Sequence, residues 1–132
     1  MADFNTTAHY QSVALTANKT LTAADQGIVQ DVTLDGLTVT LPAVAAGLTF
    51  IVRNKARTNV NLPAGAVANK AAAVTVVPNG TDTVTGNGFT PAAGKGAVNT
   101  KATAQVGDFI KLVGATGTWN IEEVSGVWAR QP

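Results

Sequence analysis

Apolar and polar positions alternate in short runs along most of the chain, and Gly, Pro, Asn and Asp separate the runs. The clearest stretch is residues 37–54. Leu37, Val39 and Leu41 alternate with Thr38 and Thr40, the period of two of a half-buried strand. Pro42 has no N–H to give a ladder and ends that strand. Gly47 can supply a positive φ at the bend, and residues 48–52 form the next strand. Upstream, residues 13–22 alternate loosely, and residues 22–25 fit one helical turn or a tight loop. Residues 28–34 are again extended. Asp35-Gly36 is a type I′ turn signal, which predicts residues 28–34 and 37–41 as neighbouring antiparallel strands.

Beyond Val52 the same grammar continues. Residues 53–58 form a polar corner, and residues 59–62 a short strand stopped by Pro63. Residues 66–73 are alanine-rich and read as a loop or a short helical turn before a strand over 74–77. Pro78-Asn79-Gly80 is a turn, and residues 81–85 are a short strand closed by Gly86-Asn87-Gly88. Residues 89–101 have no periodicity and read as a mobile surface loop. Lys95 between Gly94 and Gly96 is not a phosphate loop, since no hydroxyl residue and helix follow it. Residues 102–106 read as short and extended, with a turn at Gly107-Asp108.

The strand over 109–113 carries Phe109 and Val113 on one side and Ile110 and Leu112 on the other, as in a sheet centre packed on both faces. After a hairpin loop at 114–117, residues 119–124 put Trp119, Ile121 and Glu123 on one side, and Val127-Trp128-Ala129 is a last short strand.

Turn signals at intervals of roughly 8 to 12 residues, without a long amphipathic helix, predict an all-β fold. The expectation is a single antiparallel β-sandwich or jelly-roll-like domain over residues 13–132, preceded by an extended N-terminal arm over residues 1–12. Several segments share an apolar-Thr-apolar pattern, but their irregular spacing argues against a solenoid or propeller.

Composition narrows the picture. Within 132 residues, 45% are hydrophobic and only 13% charged, and Ala and Val supply much of the apolar count. Such small side chains fill a thin core, which gains from burying more surface against copies of itself or a partner. The net charge of +1 gives no basic face of the kind that neutralises phosphates, so no nucleic-acid partner is expected. Arg53, Lys55 and Arg57 are the local exception, a basic loop that reads as solvated or as a contact for an acidic surface. The chain has no cysteine, hence no disulfide, thiolate metal site or cysteine nucleophile. No basic-then-apolar leader opens it, and no apolar run is long enough to span a bilayer, so no membrane partner is expected.

Candidate chemistry is thin. The single histidine, His9, lies in the arm, and Ser12 and Ser125 are not in nucleophile-elbow contexts. Glu122 and Glu123 are adjacent on a strand and point to opposite faces, so they do not converge on one ion. Asp82 and Asp108 stand at strand starts, where Asp bonds turn amides. No enzyme activity, metal or cofactor is expected. Phe4 and Tyr10 are aromatic anchors within the arm, and Trp119 and Trp128 are core residues, subunit anchors or a sugar-stacking surface.

The order of several motifs is suggestive. Thr20-Leu21-Thr22-Ala23-Ala24-Asp25-Gln26-Gly27 precedes Thr38-Val39-Thr40-Leu41-Pro42-Ala43 and Gly47-Leu48-Thr49-Phe50-Ile51-Val52. Gly107-Asp108-Phe109-Ile110-Lys111-Leu112-Val113 follows, and the chain closes on Gly117-Thr118-Trp119-Asn120-Ile121 and Gly126-Val127-Trp128-Ala129. Across residues 20–129 this order resembles the capsid decoration, or cement, proteins of tailed bacteriophages. The resemblance implies a homotrimer on the outer surface of the expanded head, made in the host cytoplasm and tying major capsid protein subunits together. It carries no catalytic residues.

The arm, with Phe4, His9 and Tyr10, is expected to contact the capsid or an adjacent subunit, and the basic loop, with Arg53, Lys55 and Arg57, to contact the capsid. Trp119 and Trp128 are the expected trimer or receptor surface. The same pattern also occurs in phage tail and fibre modules, which keeps a host-attachment or carbohydrate-binding role as the alternative.

Overall fold

A computed structural model of the chain describes residues 11–56 and 73–132. The expected strand over 59–62, the alanine-rich segment up to residue 72, Arg57, and the arm residues Phe4, His9 and Tyr10 lie outside the described residues. The described elements, in order, are β1 (Gln11–Leu15), β2 (Lys19–Thr20), a 3₁₀ turn (Ala23–Asp25), β3 (Ile28–Val32), β4 (Leu37–Thr40) and β5 (Thr49–Asn54). They continue with β6 (Val74–Val77), β7 (Thr83–Thr85), β8 (Ala97–Asn99), β9 (Phe109–Gly114), β10 (Thr118–Ser125) and β11 (Ala129–Arg130).

The fold is all-β, as expected, in two mixed sheets. One has six strands in the order β1-β3-β5-β9-β10-β7, and the other five in the order β11-β8-β6-β4-β2. The alternating residues explain the sheets directly. In β5, Phe50, Val52 and Asn54 are buried while Thr49, Ile51 and Arg53 are half-buried. In β9, Ile110, Leu112 and Gly114 are buried while Phe109, Lys111 and Val113 are half-buried. The inward residues of both sheets form one cluster, including Leu15, Val32, Phe50, Val52, Ile110, Leu112 and Trp119 from the first, and Val39, Val74, Val76 and Ala97 from the second. Phe50 and Trp119 meet edge to face at its centre, with ring centroids 5.5 Å apart.

The expected antiparallel architecture is corrected. The chain steps from one sheet to the other with each early strand, so β1, β3 and β5 pair in parallel in the first sheet. Likewise β2, β4 and β6 pair in parallel in the second. Asp35-Gly36 therefore does not close a hairpin. Gly36 takes its positive φ of 81°, but the turn carries the chain across to the other sheet. Alternation fixes which face of a strand is buried without naming its neighbour, and here each strand finds a partner one coil away.

The registers show why spacing hid this. Gln11 stands beside Ile28, Val29 beside Ile51, and Leu37 beside Val74, so the coils differ in length. The irregular spacing that argued against a solenoid conceals a coil-like stacking of the first six strands. Antiparallel pairing begins only where β9 joins β5 and β8 joins β6.

Three boundaries also differ from expectation. Gln11 and Ser12, placed in the arm, pair with Ile28 and Val29 in β1. Within the expected surface loop, β8 is an interior strand of the five-stranded sheet, with Ala97 and Asn99 buried. Residues 102–106, expected to be extended, are mostly turn, with the Ala104 N–H donating to the Thr100 carbonyl at 2.8 Å.

Candidate functional site

The outer face of the six-stranded sheet carries a surface cavity. Because Phe50, Val52, Ile110 and Leu112 face the core, Ile51, Arg53, Phe109 and Lys111 face outward. Register aligns them in two rows. Val29 stands beside Ile51, Ile51 beside Lys111, and Lys111 beside Glu123. In the second row Asp31 stands beside Arg53, and Arg53 beside Phe109. Val29, Ile51, Arg53, Phe109, Lys111 and Glu123 line a cavity of about 220 Å³. Its floor is apolar and its rim carries both signs of charge.

Glu123 reaches this face through a β-bulge. The pairing of β10 with β9 shifts between Ile121 and Glu123, so Ile121 lies opposite Leu112 and Glu123 opposite Lys111. Val124 returns to the core side opposite Ile110. Glu123 was expected on the side of Trp119 and Ile121, and the extra residue turns it to the other face. The same bulge invalidates the argument that Glu122 and Glu123 must diverge. Glu122 stands 3.8 Å from the Lys111 ammonium, and Glu123 is the register partner of Lys111.

The two cations differ. Arg53 donates from Nε to Asp31 Oδ1 at 2.6 Å and from a terminal nitrogen to Oδ2 at 3.0 Å, a two-point fork. The bond from Asp31 raises the Arg53 pKa further above its ordinary value, against the opposing effect of burial. Lys111 has only the loose Glu122 pair, and among the described residues no hydrogen bond engages its ammonium. Chemically, the cavity suits an apolar side chain on Val29, Ile51 and Phe109, with an acidic group at Lys111 or a basic one at Glu123. Among the described residues no cluster of three His, Asp or Glu side chains could hold a metal ion.

A second polar cluster lies inside. Asn54 donates to Asn99 Oδ1 at 2.7 Å, and Asn99 donates to Asp108 Oδ2 at 3.1 Å and to the Val127 carbonyl at 3.0 Å. Asp108 Oδ2 also accepts from the Gln105 N–H at 3.0 Å. Gly126 allows this carboxylate its place, since a Cβ there would fall 2.2 Å from the Asp108 carboxyl carbon. The cluster joins the end of β5, the end of β8 and the link from β10 to β11. Every member is bonded within the protein, so it reads as a structural pin between the sheets.

The residues singled out from sequence scatter. Arg53 belongs to β5 rather than to a loop, and Asp31 neutralises it. Lys55 follows β5, is exposed, and donates its N–H to the Val32 carbonyl at 2.8 Å. The basic loop is thus not one patch among the described residues. Trp119 and Trp128 are core residues, 0% and 4% exposed, and offer no ring to a receptor or a sugar in this chain. Trp128 Nε1 donates to the Ser125 carbonyl at 3.0 Å, while Trp119 Nε1 is buried without an acceptor among the described residues. Asp82 accepts from the Val44 N–H at 2.8 Å and holds the crossover after β4. Val29, Asp31, Lys111 and Glu123 were missed. Their signal was faint: Lys111 is a lone charge in an apolar strand, and Asp31 and Arg53 meet only through parallel register.

Comparison of the chain with protein-family models, with curated proteins and with solved structures returned no match.

Proposed function

We propose that the protein is a structural component of a phage virion that binds the outer surface of the expanded capsid and stabilises contacts between major capsid protein subunits. The motif order across residues 20–129 suggests this role, and with it a homotrimer. The observation that carries the attachment site is the cavity on the outer face of the six-stranded sheet. It offers an apolar floor of Val29, Ile51 and Phe109 with Lys111 and Glu123 in reach of both signs of partner charge. A patch of this size binds weakly alone. An oligomer held at several points gains effective concentration without further contacts, and selective binding to one state of the shell stabilises that state. The interior positions of Trp119 and Trp128 remove the feature on which a sugar-binding role rested.

The test is co-sedimentation with undecorated heads, expanded and unexpanded. Saturable binding to expanded heads alone, weakened at least tenfold by Ile51→Asp and Lys111→Glu together, is the expected result. Binding to neither form by folded protein would overturn the capsid role. Binding unaffected by the double substitution would move the attachment site elsewhere, and deletion of residues 1–10 would then test the arm.

A further inference from the structure

Among the described residues, the four outer strands of the two sheets are not equally protected. β2 and β11 are two residues long and carry Lys19 and Arg130, and β7 has three residues. Short length and charge are the usual means of discouraging edge pairing. β1 has neither protection. It runs for five residues, Gln-Ser-Val-Ala-Leu, with no charge, no proline and no bulge, and its first four residues are exposed.

Its hydrogen-bonding parity is known. The Thr33 N–H donates to the Leu15 carbonyl at 3.0 Å, so Leu15 directs its main-chain groups toward β3. Alternation gives the same direction to Val13 and Gln11 and turns the N–H and C=O of Ser12 and Ala14 outward, away from the sheet. Val13, on the same side of the strand as the core residue Leu15, is 37% exposed.

We infer that β1 is a self-association edge that pairs antiparallel with β1 of a second copy about a two-fold axis through Val13. The sequence and parity fit that partner at every position. Ser12 of each copy lies opposite Ala14 of the other, and those two pairs exchange four main-chain hydrogen bonds. Val13 faces the second copy's Val13 in the close, non-hydrogen-bonded position, where side chains approach best. Gln11 lies opposite Leu15, so no like charges oppose one another. The six-stranded sheets of two copies then form one continuous sheet, with the inner faces on the same side.

Such a contact is isologous and cannot close a trimer on itself. In a trimeric assembly it links chains of neighbouring trimers. One short strand pair buries little surface, so the contact is weak in solution and is strengthened where copies are held side by side.

The test is cysteine placement, clean because the chain has no cysteine of its own. The two-fold register brings the Cα atoms at position 13 to about 4.5 Å, within disulfide reach. Under mild oxidation of concentrated protein, Val13→Cys is expected to give a covalent two-chain species in high yield, and Ser12→Cys much less. Adding Ala14→Pro removes an outward donor that β3 does not use, and is expected to cut the Val13→Cys yield several-fold while circular dichroism is unchanged. Equal cross-linking at both positions, no cross-linking at position 13, or a yield indifferent to Ala14→Pro in folded protein would each overturn the inference. Head-to-tail pairing of β1 with β7 would appear as longer oligomers without the position-13 link, and would overturn it equally.

Discussion

The first six strands and the last four are built from the same alternating apolar and threonine-rich pattern, yet they pair by opposite rules. β1 to β6 cross between sheets and stack in parallel, while β8 to β11 pair antiparallel with the stack or with each other, and β10 alone among them adds a parallel partner, β7. In the second region the link from β9 to β10 is a short hairpin, with the Ala115 N–H donating to the Thr118 carbonyl at 2.9 Å. In the first, every link is a crossover. The difference teaches that the turn's destination, rather than its residues, decides pairing. A Gly with positive φ serves a hairpin at Gly117 and a crossover at Gly36 equally well.

The two regions meet at two seams, and substitutions there separate what each holds. The largest effect is expected at the aromatic contact of Phe50 on β5 with Trp119 on β10. Trp119→Ala should cost about 3–5 kcal/mol by urea unfolding, from lost burial and the cavity left behind. Trp119→Phe should cost far less, because the indole N–H it removes has no acceptor.

A smaller loss is expected at the other seam, where β8 meets β6. A Cβ at Gly96 would fall 1.8 Å from the Val76 carbonyl oxygen, so Gly96→Ala must push the strands apart. We expect a loss of about 1–3 kcal/mol, with hydrogen-exchange protection falling first in β8 and β11 and later in β1 and β3.

The smallest effect concerns the ion pair of Asp35, in the crossover after β3, with Lys101, in the turn after β8. The Lys101 ammonium, and then the Ala73 N–H, hold the Asp35 carboxyl below its ordinary value of 3.8. A depressed carboxylate stabilises the fold at neutral pH and loses that contribution as pH falls through its lowered value. Asp35→Asn should therefore lower the urea midpoint slightly at pH 7, and the difference should shrink as pH falls through the lowered value and the folded-state carboxylate takes up its proton. Both groups are exposed, so added salt should shrink the difference.

Legibility in the sequence followed the same divide. In the antiparallel region β9, β10 and their hairpin stand where periodicity and turn residues put them, because local signals suffice for neighbours in sequence. β8 was hidden, since three residues among Gly, Ala and Lys carry too little period to register. In the parallel region the strands were legible and their partners were not, since register there depends on crossovers of unequal length. The outer-face cavity was illegible for both reasons. Asp31 and Arg53 meet through parallel register, and Glu123 arrives through a bulge that no residue type announces.

The alternation of β1 to β6 between sheets also dictates an order of assembly. As the chain leaves the ribosome, β1 has no partner until β3 is made, and β2 none until β4. β7, which among the described residues pairs in the first sheet only with β10, waits for residues 118–120. The ring of Trp119 reaches Phe50 only once β10 has been made, some 70 residues after β5. Nascent chains halted before β10 are therefore expected to remain protease-sensitive, with cooperative folding appearing only once residues 118–125 are free of the exit tunnel.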